Sequence, residues 1–291
     1  MNAKMIFAVF ALLSFFIPFD SQNKKAMNDT LQMQLVKSGE GRPLLLVPGG
    51  LTGWISWQPF EEIFATKQRS TLRVQLLNVQ YGLENRELPE DYSVKTESRA
   101  LKAALDASGD TMPMDVVAWS FGALTSLDYA LDNPDRIRTL TLIEPPGFWV
   151  LRAMGPLNES ESKTIEVMDG FHKEISEVML ETFLREAGFA QKGQSPRELP
   201  QWNNWLPYRQ SLRNTRQVIA HEDKLQRLQS YNKPVLLVKG TGSSEWMHKV
   251  IDGLEKNLPN VRVIELPGGH APHLVSKEKF LTGLEKFQSE N

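Results

Sequence analysis

Short solid runs of apolar residues recur along the chain, separated by stretches in which apolar positions return every three or four residues. Residues 31–36 (LQMQLV) alternate apolar and polar and predict a half-buried strand. Residues 44–47 (LLLV) form an unbroken run that stops at Pro48-Gly49-Gly50, the pattern of a strand covered on both faces. Runs at 72–79, 114–118, 139–143, 235–238 and 261–266 predict further strands. Between them, 90–107, 120–131, 246–258 and 277–288 predict helices. In the first of these Val94, Ala100, Leu101, Ala104 and Leu105 fall roughly on one face. Strands alternating with helices predict an α/β fold, a mainly parallel central sheet with helices on both faces.

Two stretches break this alternation. Residues 148–228 contain no solid strand run and predict helices, at 159–168 and 171–187, followed by Trp202, Trp205 and Tyr208 in a proline-bounded segment. This is a helical insertion that divides a core of 27–147 and 229–291. In an enzyme it would form a cap over the strand ends; otherwise it decorates the core. At the other break, residues 5–19 are apolar except for Ser14, preceded by Lys4 and followed by Asp20. A basic start and a short apolar stretch fit a signal peptide or N-terminal anchor over 1–26, hence export or membrane association. The alternatives are a cytoplasmic protein that starts at Met27, or a buried N-terminal helix.

Composition narrows the chemistry. The 291 residues carry 33 basic and 35 acidic side chains, a net charge of −2, which argues against a nucleic-acid partner. Cysteine is absent, so disulfides, thiolate metal sites and a cysteine nucleophile are excluded. There is also no His-Glu-x-x-His, and neither a metal nor a cofactor is expected.

Three segments carry candidate chemistry. In Val116-Val117-Ala118-Trp119-Ser120-Phe121-Gly122-Ala123 an apolar strand runs into a serine, a glycine and then a helix. Leu44 to Gly50 is a strand ending in Pro-Gly-Gly, without the spacing of a phosphate-binding loop. Leu266-Pro267-Gly268-Gly269-His270-Ala271-Pro272-His273 places two histidines, able to exchange protons near neutral pH, just after the last strand.

Together these segments resemble the α/β-hydrolase fold superfamily over roughly 31–287. The first is similar to its G-x-S-x-G nucleophile elbow, with Ala118 in place of the first glycine. The resemblance implies Ser120 as nucleophile, His270 as base and the backbone N–H groups of Gly50 and Phe121 as an oxyanion hole. Pro48 stands where many members have histidine. His273 is a second histidine candidate, favoured instead for a structural or pocket role.

The acid departs from the family pattern. Its usual position, in the loop after the strand at 235–238, falls on Ser243. Two carboxylates could substitute. Glu144 follows the strand at 139–143, which should pair with the nucleophile strand and so end beside Ser120. Glu245 lies two residues past the usual position, where a helix dipole would also explain it. Glu144 is the favoured acid.

The resemblance implies a serine hydrolase acting on a small ester or related acyl substrate. Carbon–carbon bond hydrolysis and cofactor-free perhydrolysis occur on the same scaffold, and a non-catalytic binding module is the alternative outside enzymes. Haloalkane dehalogenases and epoxide hydrolases of this fold use an aspartate nucleophile, against which Ser120 argues. Phe148, Trp149, Trp202, Trp205 and Tyr208 suggest an apolar pocket.

Overall fold

The computed structural model describes residues 31–190 and 193–291; the leader or anchor expected at 1–26 lies outside them. Seven strands form one sheet: β1 (Gln34–Ser38), β2 (Arg42–Val47), β3 (Arg69–Gln75), β4 (Met114–Trp119), β5 (Ile137–Ile143), β6 (Val235–Gly240) and β7 (Val261–Leu266). Their order is β1-β3-β2-β4-β5-β6-β7. Only β1 runs antiparallel, against β3; every other pair is parallel.

The solid apolar runs become the central strands because both sheet faces are covered. Successive side chains point to opposite faces. Leu45, Val47, Val116, Ala118, Leu140, Leu142, Val235 and Leu237 therefore pack into one core. Leu44, Leu46, Val117, Trp119, Ile143, Leu236 and Val238 pack into the other. In register, Val47 lies opposite Ala118, and Ala118 opposite Leu142. The carboxyl ends of β2, β4 and β5 thus come out side by side, and this edge carries the candidate residues.

Helices also fill the stretch between β5 and β6, where the sequence predicts an insertion. Its helices include Phe148–Met154, Glu159–Asp169, Glu177–Glu186 and Thr215–Ala220, with a 3₁₀ segment Leu206–Asn214. Phe171, Ile175, Leu180, Leu184, Trp202 and Leu212 form a small core of its own, joined by Leu51 from the loop after β2. Among the described residues no helix is long and apolar enough to cross a membrane.

Several boundaries differ from the sequence expectation. The run at 72–79 is strand only to Gln75; Leu77–Leu83 is a helix. Its first two N–H groups, from Leu77 and Asn78, donate to the Glu97 carboxylate, a cap supplied from elsewhere in the fold. The helix expected from 90 begins at Val94, because Ser93 and Thr96 close a capping box. The helix expected from 171 begins at Glu177, where the Ser176 side chain accepts from the Met179 N–H.

Candidate active site

Ser120 sits between β4 and the helix Phe121–Asp132 with φ 54° and ψ −126°. A left-handed φ on a residue with a side chain costs on the order of 1–3 kcal/mol and persists only where the surroundings enforce it. Here the Ser120 N–H donates to Ile143 O at 2.8 Å, and Ser120 O accepts from the Ala123 and Leu124 N–H groups. Gly122 is required by the same turn: a Cβ there would lie 2.1 Å from Pro48 O.

His270 comes from the loop after β7, and its Nε2 is 2.7 Å from Ser120 Oγ. The loop is tied to β4 by the Trp119 indole, which donates to His270 O at 2.7 Å. Glu144 follows β5 with φ 50° and is fully buried. Its Oε2 lies 3.5 Å from His270 Nδ1. The same carboxylate accepts from the Gly240 N–H at Oε1 and from Ser243 Oγ at Oε2, both at 2.6 Å. Ser243 thus occupies the usual acid position and binds the carboxylate that stands beside His270.

The structure brings Ser120, His270 and Glu144 together and leaves Glu245 apart. The Glu245 side chain is 81% exposed, on the first turn of the helix Glu245–Asn257, within 3.8 Å of Lys249 Nζ. His273 is fully buried among the rings of Trp57, Phe60, Trp119 and Phe280. Neither ring nitrogen has a hydrogen-bond partner. Burial, with a smaller contribution from neighbouring His270, pushes its pKa down to about 3, so the ring stays neutral.

Gly50 and Phe121 are adjacent, since a Cβ at Gly50 would be 3.1 Å from Phe121 Cβ. The Phe121 N–H opens a helix and so has no acceptor within that helix.

Ser120, Phe121, His270 and Gly50 line a cleft of about 620 Å³, counting its open mouth. The rest of its wall is largely apolar and includes Leu51, Phe148, Met168, Phe183, Phe189 and Trp246. Among the described residues, no Asp, Glu, Lys or Arg lines it. Of the aromatic residues expected there, Phe148 does line the cleft, whereas Trp149 packs in the main core. Trp202, Trp205 and Tyr208 pack in the core of the insertion. Phe183 and Phe189 escaped the sequence reading because helical periodicity identifies a buried face without naming what it faces.

Among the described residues, one group could gather a metal ion: Asp128, His221 and Asp223, with candidate ligand atoms within 4.8 Å of one another. Lys95 Nζ already lies 2.6 Å from Asp128, and Arg227 pairs with Asp223. The cations present balance both carboxylates, and none of the three residues lines the cleft.

A model of the alpha/beta hydrolase fold family matches residues 42–277. The chain belongs to this family. A pimeloyl-[acyl-carrier protein] methyl ester esterase from Nitrosomonas europaea is 25% identical over 195 residues, covering 63% of this chain and 75% of its own. A haloalkane dehalogenase from Agrobacterium fabrum is 29% identical over 116 residues, covering 40% and 36%. Among solved structures, an esterase from Exiguobacterium antarcticum superposes with a TM-score of 0.72 at 16% identity, over 88% of this chain and 95% of the other. Proteins similar to this α/β-hydrolase thus include both an esterase and a haloalkane dehalogenase, and fold alone does not decide between such activities.

Proposed function

We propose that this α/β-hydrolase is a serine hydrolase that cleaves a small, uncharged ester or related acyl compound. The observation that carries the reading is the 2.7 Å contact between Ser120 Oγ and His270 Nε2 at an apolar cleft. That distance is hydrogen-bond reach, which a general base needs before it can take the hydroxyl proton.

In this mechanism His270 Nε2 accepts the Ser120 proton as Oγ attacks the substrate carbonyl carbon. The carbonyl π pair moves onto oxygen, and the N–H groups of Gly50 and Phe121 hold the resulting oxyanion. As the tetrahedral intermediate collapses, His270 returns the proton to the departing alcohol and an acyl-serine remains. Water then attacks this ester, gives its proton to His270 and releases the acid, restoring Ser120. Glu144 orients His270 through Nδ1 and stabilises the imidazolium. The insertion acts as the cap whose apolar side chains exclude water and receive the substrate. Among the described residues the cleft wall has no Asp, Glu, Lys or Arg, which supports an uncharged substrate, because an unpaired ion would have to be desolvated there. The names of the Nitrosomonas and Exiguobacterium relatives support ester chemistry.

The test is reaction with a fluorophosphonate probe, followed by mapping of the adduct and turnover of p-nitrophenyl esters. The adduct is expected on Ser120, and Ser120→Ala should lose both labelling and turnover. A folded wild-type protein that neither labels nor hydrolyses esters would overturn the reading.

A further inference from the structure

The geometry points to Asn78 as a positioning residue that fixes the Gly50 oxyanion loop and fastens it to the helical insertion. This inference rests on the ester-hydrolase reading above.

An oxyanion donor lowers a barrier only if it is oriented before the charge develops. Gly49-Gly50 is poorly suited to holding itself still, since consecutive glycines have the widest backbone freedom. A larger residue at 50 would be crowded, since a Cβ would come 3.1 Å from Phe121 Cβ and 3.2 Å from Asn78 Nδ2. The rigidity must therefore come from neighbouring groups.

Asn78 supplies it. Its Nδ2 donates to Gly50 O at 2.7 Å and to Ser211 O at 2.9 Å. Both amide hydrogens are thereby used, one on the loop after β2 and the other on the insertion. The orientation of the amide is fixed as well, because a flipped side chain would set Oδ1 against two carbonyl oxygens. The backbone that carries this side chain is itself held from behind. Asn78 N–H donates to Glu97 Oε1 at 2.9 Å and Leu77 N–H to Oε2 at 3.0 Å, while the Tyr92 hydroxyl donates to Oε1 at 2.5 Å. Asn78, Glu97 and Tyr92 are all buried, so these bonds meet little competition from water. A carboxylate on the helix Val94–Ala107 thus sets the start of the helix Leu77–Leu83, whose Asn78 in turn sets the Gly50 carbonyl. With its carbonyl pinned, the glycine that carries the donor N–H loses most of its freedom.

The test compares Asn78→Leu and Asn78→Asp with wild type. Both keep the approximate volume, and neither can donate to the two carbonyls. Three quantities are read: kcat and KM for a p-nitrophenyl ester, the affinity for a trifluoromethyl ketone, and that for the matching methyl ketone. The trifluoromethyl ketone's adduct on Ser120 carries the oxyanion, whereas the methyl ketone reports ground-state binding. The expected result is a fall of about 10- to 100-fold in kcat with KM little changed. Affinity for the trifluoromethyl ketone should fall in step with kcat/KM, and affinity for the methyl ketone should hold. Variants that keep wild-type kcat and trifluoromethyl ketone affinity would overturn the role. So would equal losses for both ketones, or failure of both variants to fold, each of which makes Asn78 a residue of general structure. A wild-type protein that neither hydrolyses the ester nor binds the trifluoromethyl ketone would instead defeat the ester-hydrolase reading itself.

Discussion

Ser243 Oγ donates a 2.6 Å hydrogen bond to Glu144 Oε2, the same oxygen that lies 3.5 Å from His270 Nδ1. The loop after β6 therefore contributes a donor where an α/β-hydrolase commonly has its acid. The donor restricts where Oε2 can point.

Removing that donor should loosen the acid without deleting it. Ser243→Ala is expected to lower kcat/KM several-fold, well short of the effect of Glu144→Gln. The latter should cost about 10²–10⁴-fold, as loss of a triad carboxylate does elsewhere. Glu245→Gln should stay near wild type, since the Glu245 side chain is 81% exposed beside Lys249. Hydrolysis rates for the three variants on one p-nitrophenyl ester check the ranking, and a larger loss in Glu245→Gln than in Glu144→Gln would reverse the assignment.

The acid should also be movable. In Ser243→Asp alone, two carboxylates crowd one site, which favours protonation of one of them and lowers activity near neutral pH. In Ser243→Asp combined with Glu144→Gln, one charge is restored at the position the family commonly uses. The double variant is expected to exceed Glu144→Gln in kcat/KM. Kinetics on both proteins decide it, and a double variant no better than Glu144→Gln would show that a carboxylate introduced at position 243 cannot reach His270.

His273 should make the fold acid-sensitive. Its folded pKa of about 3 lies below the ordinary value of 6.5. Below pH 6.5 the unfolded chain takes up a proton that the folded protein refuses. Stability from this group is therefore full above about pH 6.5 and lost as pH falls toward 3. His273→Phe should lower the pH of acid unfolding with little change in kcat. Denaturant melts between pH 4 and pH 7 measure it.

Glu97 should act in the opposite direction. Burial raises its pKa from 4.5 to about 7, opposed in part by hydrogen bonds from Tyr92, Asn78 and Leu77. The folded state then holds a proton that the unfolded state has released, so its contribution to stability declines as pH rises from about 4.5 through 7. The loss is on the order of 3 kcal/mol if the full difference applies. Across this window the effect masks part of that of His273, so wild type alone is uninformative. The stability of Glu97→Gln relative to wild type should increase between pH 5 and pH 8, as read from urea unfolding.

Much of the sheet was legible in the sequence because strands covered on both faces leave solid apolar runs. The placement of Glu144 beside Ser120 followed from one topological fact, that parallel neighbours end at the same edge. The run at 72–79 reads as strand past Gln75 because Leu76-Leu77-Asn78-Val79 suits a strand or a helix equally. Glu97, distant in sequence, decides between them by accepting the first two helical N–H groups. The same distance hid Asn78, whose two acceptors, Gly50 and Ser211, belong to different parts of the chain. The cleft wall stayed obscure for another reason. Trp202, Trp205 and Tyr208 look like a binding stripe, yet they fill the core of the insertion, and the wall is built by Phe183, Phe189 and Trp246.

Ser120 and Glu144 lie at the ends of adjacent strands, β4 and β5, joined by one α-helix and a short 3₁₀ turn. The proposed nucleophile and acid consequently travel as one contiguous cassette that closes before the insertion begins. Evolution or an engineer could exchange the segment from Phe148 to Gln229 for one of another shape without breaking the cassette. Substrate preference can then diversify on a chemical unit that is inherited whole.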